Sequence, residues 1–443
     1  MNIDSWSTGK IYDYILDIYI GRNYLEEVVP ITRNRFTGKN LFVKVWNVLE
    51  RPLKFIKQGL KYEFIYKKWN QSANIDGKVW LFYISKNNYD SLSFLLEHIE
   101  DAVLVGHGIP TKNSKTPQLP FYRFLFYSYK FPGVGRYLSK KYGPKIWNYF
   151  DLIFKAVGQY EAALKILGKH RPKCIVLAND HSELPRAIRL AAAKHNIPCV
   201  YIQHASIAHY HPHLDFDLSL LEGEDAKDKY LAKGNCEGTI KLIGMPKFDE
   251  YLKGRNFSKQ VKRLGICTNL WETTEEVESI IKDIKAAFPA LIISFRPHPA
   301  DVRKFQLDES VIRSTKAETA FNFLSKQDLI IAGNTSMHLE AVLLNVVSVH
   351  FEISPIKQDF HDYYGYIKNG LVPEAKNKEE LMKIIEKECQ LKESVFQNAR
   401  YYNALVGTDK EGRSGEVAAG YIGEMLVERE RRKTEDRRRK FSL

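Results

Sequence analysis
The segment 173-KCIVLANDHSELPRAIRLAAAKHNIPCVYIQHAS-206 decides the fold. Its outer apolar runs, 173–180 and 198–206, read as short buried strands, and 183-ELPRAIRLAAAKHN-196 between them has helical spacing. Strand, helix and strand in that order form one unit of a parallel sheet with helices on its faces. Upstream, the alternation predicts a strand over 78–85, a helix in 91-SLSFLLEHI-99, a strand over 101–110 ending in Gly106-His107-Gly108, and a helix over 151–170. Downstream, it predicts a strand over 216–223, a helix from about Asp225 and a closing segment at 239–254.

A second alternation opens at 262-KRLGICTNL-270. It runs through a helix over 274–287, the strand 290-ALIISFRP-297, a helix near 317–325, the strand 328-DLIIAG-333, the helix 335-TSMHLEAVLLN-345 and the strand 346-VVSVHFE-352. The sequence thus predicts an α/β chain of two doubly wound, Rossmann-like domains facing a cleft. Residues 1–255 form the first, acceptor-side domain and 262–410 the second, donor-binding one. Residues 411–443 are a crossover helix that packs back, with a basic tail. Residues 1–70 are aromatic-rich and take no assignment.

At 443 residues the chain exceeds one ordinary core, and 44% hydrophobic with 27% charged residues is globular composition. No window holds about 18 consecutive apolar residues, so no membrane span is expected. The N-terminal 1-MNIDSWSTGKIYDYIL-16 lacks a secretion signal's basic, apolar and small-residue order, and a cytoplasmic protein is expected. Cys174, Cys199, Cys236, Cys267 and Cys389 are scattered singly, which suits reduced thiols and offers no metal framework. The net charge of +13 is compatible with nucleic acid, anionic lipid or an acidic substrate. Part of it lies in 428-ERERRKTEDRRRK-440, read as a solvated, frayed helix end or as a basic foot on the inner leaflet of a membrane. The aromatic and basic stretch 119–150 suits an interfacial segment or a polymer-binding wall, and buried aromatics beside surface lysines would look the same.

Ligands of open parallel sheets bind beyond the carboxyl ends of the strands. In the second domain, Pro297 and Pro299 hold Arg296 and His298 extended just past a strand. The next strand ends in Gly333-Asn334-Thr335-Ser336 at a helix start, where free N–H groups favour an anion. Arg296, His298, Asn334, Thr335 and Ser336 are therefore the candidate phosphate cradle, and Glu340, one turn on, meets a ribose hydroxyl or faces solvent. In the first domain the strand ends carry His107, then Asn179-Asp180-His181 with Glu183, then Gln203-His204-Ala205-Ser206. The three strand-end histidines, His107, His181 and His204, with Asp180 and Glu183, are the candidates for a general base, with His107 and His204 favoured because small neighbours let a substrate approach. Two decoys stand beside them. His209, His211 and His213 alternate as zinc ligands would, but Pro212 breaks the strand, and no metal site is assigned. The acidic pair of 215-DFD-217 leads into an apolar strand and reads as a strand entrance.

Taken in order, 174–206, 242-LIGMPKFDEYL-252, 294-SFRPHPAD-301 and 331-IAGNTSMHLEAVLLN-345 resemble bacterial glycosyltransferases of GT-B architecture that build capsule and surface polysaccharide. Those families include the polysialyltransferases, the capsule 3-deoxy-octulosonate transferases and, more distantly, the CDP-glycerol glycerophosphotransferases. The resemblance covers roughly residues 100–425. It implies an inverting, metal-independent transfer, without cofactor, from a cytidine nucleotide donor to an oligosaccharide or glycolipid acceptor. The basic surface, the tail included, would help hold an anionic or membrane-linked acceptor at the inner face of the membrane, and no nucleic acid partner is expected. In such families the His of the HP motif and a downstream Ser or Thr pair hold the donor phosphate, which falls on His298 and on Thr335 and Ser336. Gln203-His204 matches the first-domain motif, with Ala205 where glycine is usual. The acidic base of sialyltransferases has no clear match. Two alternatives stand beside the transferase: a nucleotide-sugar 2-epimerase of the same fold, and a non-catalytic polysaccharide assembly or binding protein.

Overall fold
A computed structural model describes residues 3–20, five positions between 53 and 60, 74–106, 119–121, 124–143, 146, 150–207, 211–354 and 361–441. Among the described residues, eleven short strands build two parallel sheets. The first holds β1 (Val79–Tyr83), β2 (Ala102–Gly106), β3 (Cys174–Leu177), β4 (Cys199–Ile202), β5 (Leu218–Leu221) and β6 (Thr239–Leu242), in the order β2-β1-β3-β4-β5-β6. The second holds β7 (Arg263–Cys267), β8 (Ile292–Arg296), β9 (Ile312–Arg313), β10 (Leu329–Ala332) and β11 (Val347–His350), in the order β11-β10-β7-β8-β9. Each sheet reverses its direction of growth once, between β1 and β3 and between β7 and β10, and such reversals open a crevice at the strands' carboxyl ends.

Both faces of each sheet are covered, which is why the strands read as unbroken apolar runs. In β1, Trp80 and Phe82 join one core with the helices Thr8–Ile20, Phe150–Lys169 and Glu183–Lys194. Val79, Leu81 and Tyr83 point the other way, into a core closed by Ala418 and Ile422 of the helix Ser414–Phe441. In the second sheet Leu329 and Ile331 face the helices Thr274–Ala287 and Lys378–Gln390, and Ile330 and Ala332 face Phe323 and Leu344. A further core joins the halves: Met245, Phe248 and Leu252 pack with Leu339, Val342, Leu343, Tyr366 and Tyr402.

The last helix starts beyond the second sheet and lies on the first. Asp249 anchors its beginning, its carboxylate accepting from Ser414 Oγ (2.7 Å) and the Gly415 amide (3.1 Å). Just before it, the Ala404 amide donates to the Glu222 carbonyl (2.9 Å). A Cβ at Gly223 would lie 2.4 Å from the Tyr402 carbonyl carbon, so only glycine admits the returning backbone there.

Three expectations change. The stretch 91–99 is a short 3₁₀ turn, Ser93–Glu97, rather than a helix. The basic tail continues the helix to Phe441, because Glu428 pairs with Arg431 and Arg432, and Glu430 with Lys433, at helical spacing. The aromatic stretch 119–150 is of both kinds: Phe121 and Phe124 are core residues, and Phe126, Tyr129 and Tyr137 are exposed. The strand entrance at 215–217 stands, since Asp217 Oδ2 accepts from the Cys199 amide (2.8 Å) and the Asp215 carbonyl accepts from buried Arg189. All five cysteines are free, and among the described residues no helix is long and apolar enough to cross a membrane.

Candidate functional site
In the second domain, the loops after β8 and β10 meet although their strands are not neighbours: β7 lies between them, and its end supplies the floor. Cys267, Thr268, Asn269, Arg296, His298, Thr335 and Met337 line one pocket of about 40 Å³ at the switch point of the sheet. The Arg296 guanidinium sits 5.6 Å over the ring of Phe323 from the short helix Ala320–Leu324, and Nη1 donates to Ser314 Oγ (2.7 Å). His298 is fixed by its own loop. The Ala300 amide donates to Nδ1 (3.1 Å), which puts the ring proton on Nε2 as a donor.

Thr335 Oγ1 accepts from the Met337 amide (3.3 Å), and Ser336 caps the helix Met337–Leu343 through its backbone alone. Asn334 is tied down on two sides, its Oδ1 accepting from the Tyr363 amide (3.1 Å) and its carbonyl from Asn269 Nδ2 (2.8 Å). His338 is structural: buried, it bonds to Ser348 Oγ (2.6 Å) and the Gly333 carbonyl (2.8 Å), and burial beside His350 lowers its pKa to about 3. Glu340 turns inward rather than to solvent. Its Oε2 is buried with no hydrogen-bond partner, and burial raises its pKa against the pull of Lys247 and Arg296.

In the first domain, Asn179 Oδ1 accepts from the amides of His181 (3.1 Å) and Ser182 (2.9 Å), a local turn at the switch-point side of β3. The turn sends Asp180 into the interior and leaves the His181 side chain 45% exposed. One Asp180 oxygen takes the hydroxyl proton of Tyr230 (2.6 Å), and the other lies 3.1 Å from His181 Nδ1. Burial would raise its pKa, but the bonds from His181 and Tyr230 prevail and hold it below the usual carboxylate value. Asp180 is therefore placed to act through His181, not on a ligand directly. His204 stacks on His181, ring centres 6.2 Å apart, and burial depresses its pKa to about 4, so it is neutral near pH 7. Glu183 pairs with Lys155 at the first turn of its helix. His107 lies outside the described residues, as does His209; His211 is buried against the Lys229 carbonyl (3.0 Å).

Two residues of the site carried no role in the sequence reading. Glu222 follows β5 directly and is 3% exposed; Gln203 holds it at both ends, Nε2 donating to Oε2 (3.1 Å) and Oε1 accepting its amide (2.9 Å). Burial, with Asp225 and Glu340 nearby, raises its pKa to about 7 despite the opposing charge of Lys247. Lys247 follows the turn at Gly244, whose φ of +73° favours glycine, and its charge acts on His204, Glu222 and Glu340 together. Cation and carboxyls thus link the two halves across the cleft, where Ser206 Oγ also meets Tyr366 OH (3.3 Å). The available signal for Glu222 was a lone acid ending an apolar strand, the counterpart of Arg296 in the other half.

A pH test follows. The Glu222 carboxyl keeps its proton to about pH 7 when folded, against an ordinary 4.5, so its stabilising contribution is complete below 4.5 and is lost as pH rises through 7. Glu222→Gln is expected to match the parent near pH 4.5 and to exceed its stability at pH 8 by up to about 3 kcal/mol, read by urea unfolding at both pH values. An equal difference at the two pH values would exclude the shift.

No protein-family model and no curated protein matches this sequence. Solved structures do. The UDP-GlcNAc 2-epimerase of Methanocaldococcus jannaschii superposes with a TM-score of 0.52 at 14% identity, covering 78% of this chain and 99% of its own. A Listeria monocytogenes protein assigned as a UDP-N-acetylglucosamine 2-epimerase gives 0.52 at 13% identity, covering 80% and 97%. At such identities the likeness concerns the fold alone, and it is the two-domain GT-B fold.

Proposed function
We propose that this chain is an inverting glycosyltransferase that uses a nucleotide-sugar donor, with a cytidine nucleotide favoured, and an oligosaccharide or glycolipid acceptor of surface polysaccharide. The observation that carries the reading is the pocket at the second switch point, where Arg296 and His298 from the end of β8 and Thr335 from the loop after β10 converge beside a helix start. Its guanidinium and its hydrogen-bond donors suit a phosphate group. Arg296, His298, Asn334, Thr335 and Ser336 hold the donor phosphate, and the unpartnered Glu340 oxygen takes a ribose hydroxyl. The acceptor lies against the first domain. His181, its Nδ1–H held by Asp180, removes the acceptor hydroxyl proton at Nε2; the oxygen attacks the anomeric carbon as the bond to the leaving phosphate breaks on the opposite face. His204, neutral and stacked on His181, shapes that side of the site. Charge on the departing phosphate is met by groups already in place. The chain's own cations, Arg296 and Lys247, supply that countercharge, so the transfer step needs no metal. The exposed aromatics near Lys130 and the basic helix end would hold an anionic or membrane-linked acceptor on the cytoplasmic side.

A thermal-shift panel of CMP, CDP, UDP and GDP tests the reading. A cytidine nucleotide at ~100 times its dissociation constant should stabilise the chain by about 2.7 kcal/mol. No stabilisation by any of the four would favour a non-catalytic assembly protein, and release of free hexosamine from UDP-N-acetylhexosamine would replace the transferase with an epimerase.

A further inference from the structure
His350 ends β11 and Glu352 follows two residues later, with His361 beside them. One ligand atom from each of the three lies within 4.8 Å of the others. None of the three lines the pocket of Arg296, His298 and Thr335. We propose that His350, Glu352 and His361 bind one divalent transition-metal ion of the zinc class, which fastens the turn at residues 361–363 to β11 and so braces the loop that carries Asn334.

Four observations support the site. The donor set, two imidazoles and one carboxylate, is of the kind that selects such ions, with bonds of about 2.0–2.2 Å. His350 is 2% exposed, and its Nε2 and Glu352 Oε1, 3.0 Å apart, are both buried yet misaligned for a hydrogen bond to each other or to any other group. Two such neighbouring buried atoms, each without a hydrogen-bond partner, leave an unmet need that a cation satisfies. An outer carboxylate is present as well: Glu374 is bridged to His350 through the backbone, and its Oε1 lies 3.2 Å from His361 Nε2, as a carboxylate behind a metal-bound imidazole would. Finally, Glu352 and the buried Glu272 both approach Gly333, and a Cβ there would sit 2.7 Å from Glu352 Oε2 and 3.7 Å from Glu272 Oε1. The Asn269 amide donates to the other Glu272 oxygen, Oε2 (2.8 Å), so Glu272 Oε1 and Glu352 Oε2 bring two acidic oxygens to the same turn. The mechanical link is direct, because the Tyr363 amide, two residues from His361, donates to Asn334 Oδ1.

The test uses the tag-free full chain, stripped by a chelator and titrated with Zn²⁺, then with Co²⁺ as a spectroscopic probe. One equivalent of Zn²⁺ per chain is expected, with an upward shift of the melting temperature and, for Co²⁺, the strong visible bands of a four-coordinate site. His361→Ala, an exposed position, and separately Glu352→Gln should each weaken affinity at least tenfold, while His213→Ala leaves it unchanged. Melting temperatures in chelator show whether each variant is folded, and Glu352→Gln decides the matter should His361→Ala melt early. No saturable uptake by the parent chain, or uptake unchanged in both ligand variants, overturns the proposal. The metal readout is independent of nucleotide binding, so the transferase reading stands or falls separately.

Discussion
His298→Ala is expected to lower transfer by about 10²–10³-fold while the protein stays folded, the effect of removing one donor aimed at developing charge. The ring is held from within its own loop by the Ala300 amide, and little else depends on it, so its loss should leave the melting temperature nearly unchanged. In the proposed site the Nε2–H donates to the leaving phosphate, so the deficit should fall mainly on kcat, with a smaller rise in KM for the donor. Steady-state kinetics with the donor identified by the nucleotide panel would measure it, and full activity in the variant would remove His298 from the mechanism.

A comparable loss is expected in the other half of the cleft. His181→Gln should reduce kcat by roughly 10²–10⁴-fold, the usual contribution of a positioned base. Asp180→Asn is the more discriminating change. The Tyr230 hydroxyl still finds an oxygen, but the new amide donates to His181 Nδ1 and forces the ring proton onto Nε2, where the base must accept one. The corresponding exchange in a Ser-His-Asp triad costs about 10⁴-fold. Near-normal kcat in Asp180→Asn, with the fold intact, would mean that the pair only closes a loop.

The two sheets were legible because every strand but β6 and β9 is a largely apolar run set between helices with one buried face, so composition and periodicity agree. The tail was read as frayed because its charges of both signs look solvated, and only their spacing of three and four residues shows that they sustain a helix. In the site, the two prolines around His298 and the small residues of 333–336 announced themselves through backbone rules, but not β7 between them, since strand order is a long-range property. Asp180 looked like a base for a related reason. Its environment depends on Tyr230, fifty residues later, which turns an accessible acid into a buried support for its neighbour. Glu222 and Lys247 are ordinary strand-end and turn residues in one dimension; their chemistry comes from the burial and mutual proximity that the closed halves impose. The zinc-class cluster was equally hidden, because its residues match no spacing motif.

The helix Ser414–Phe441 completes a face of the first sheet, with Ala418 and Ile422 set against Val79, Leu81 and Tyr83. During synthesis that face would emerge from the ribosome on the order of ten to thirty seconds before its cover, at about 5–20 residues per second. The later-made half, with its sheet and helices contiguous between Arg263 and Gln390, would be ready to fold first. The nascent chain would then present a bare apolar sheet to chaperones throughout the interval, and a ribosome that stalled before codon 414 would release a product prone to aggregate.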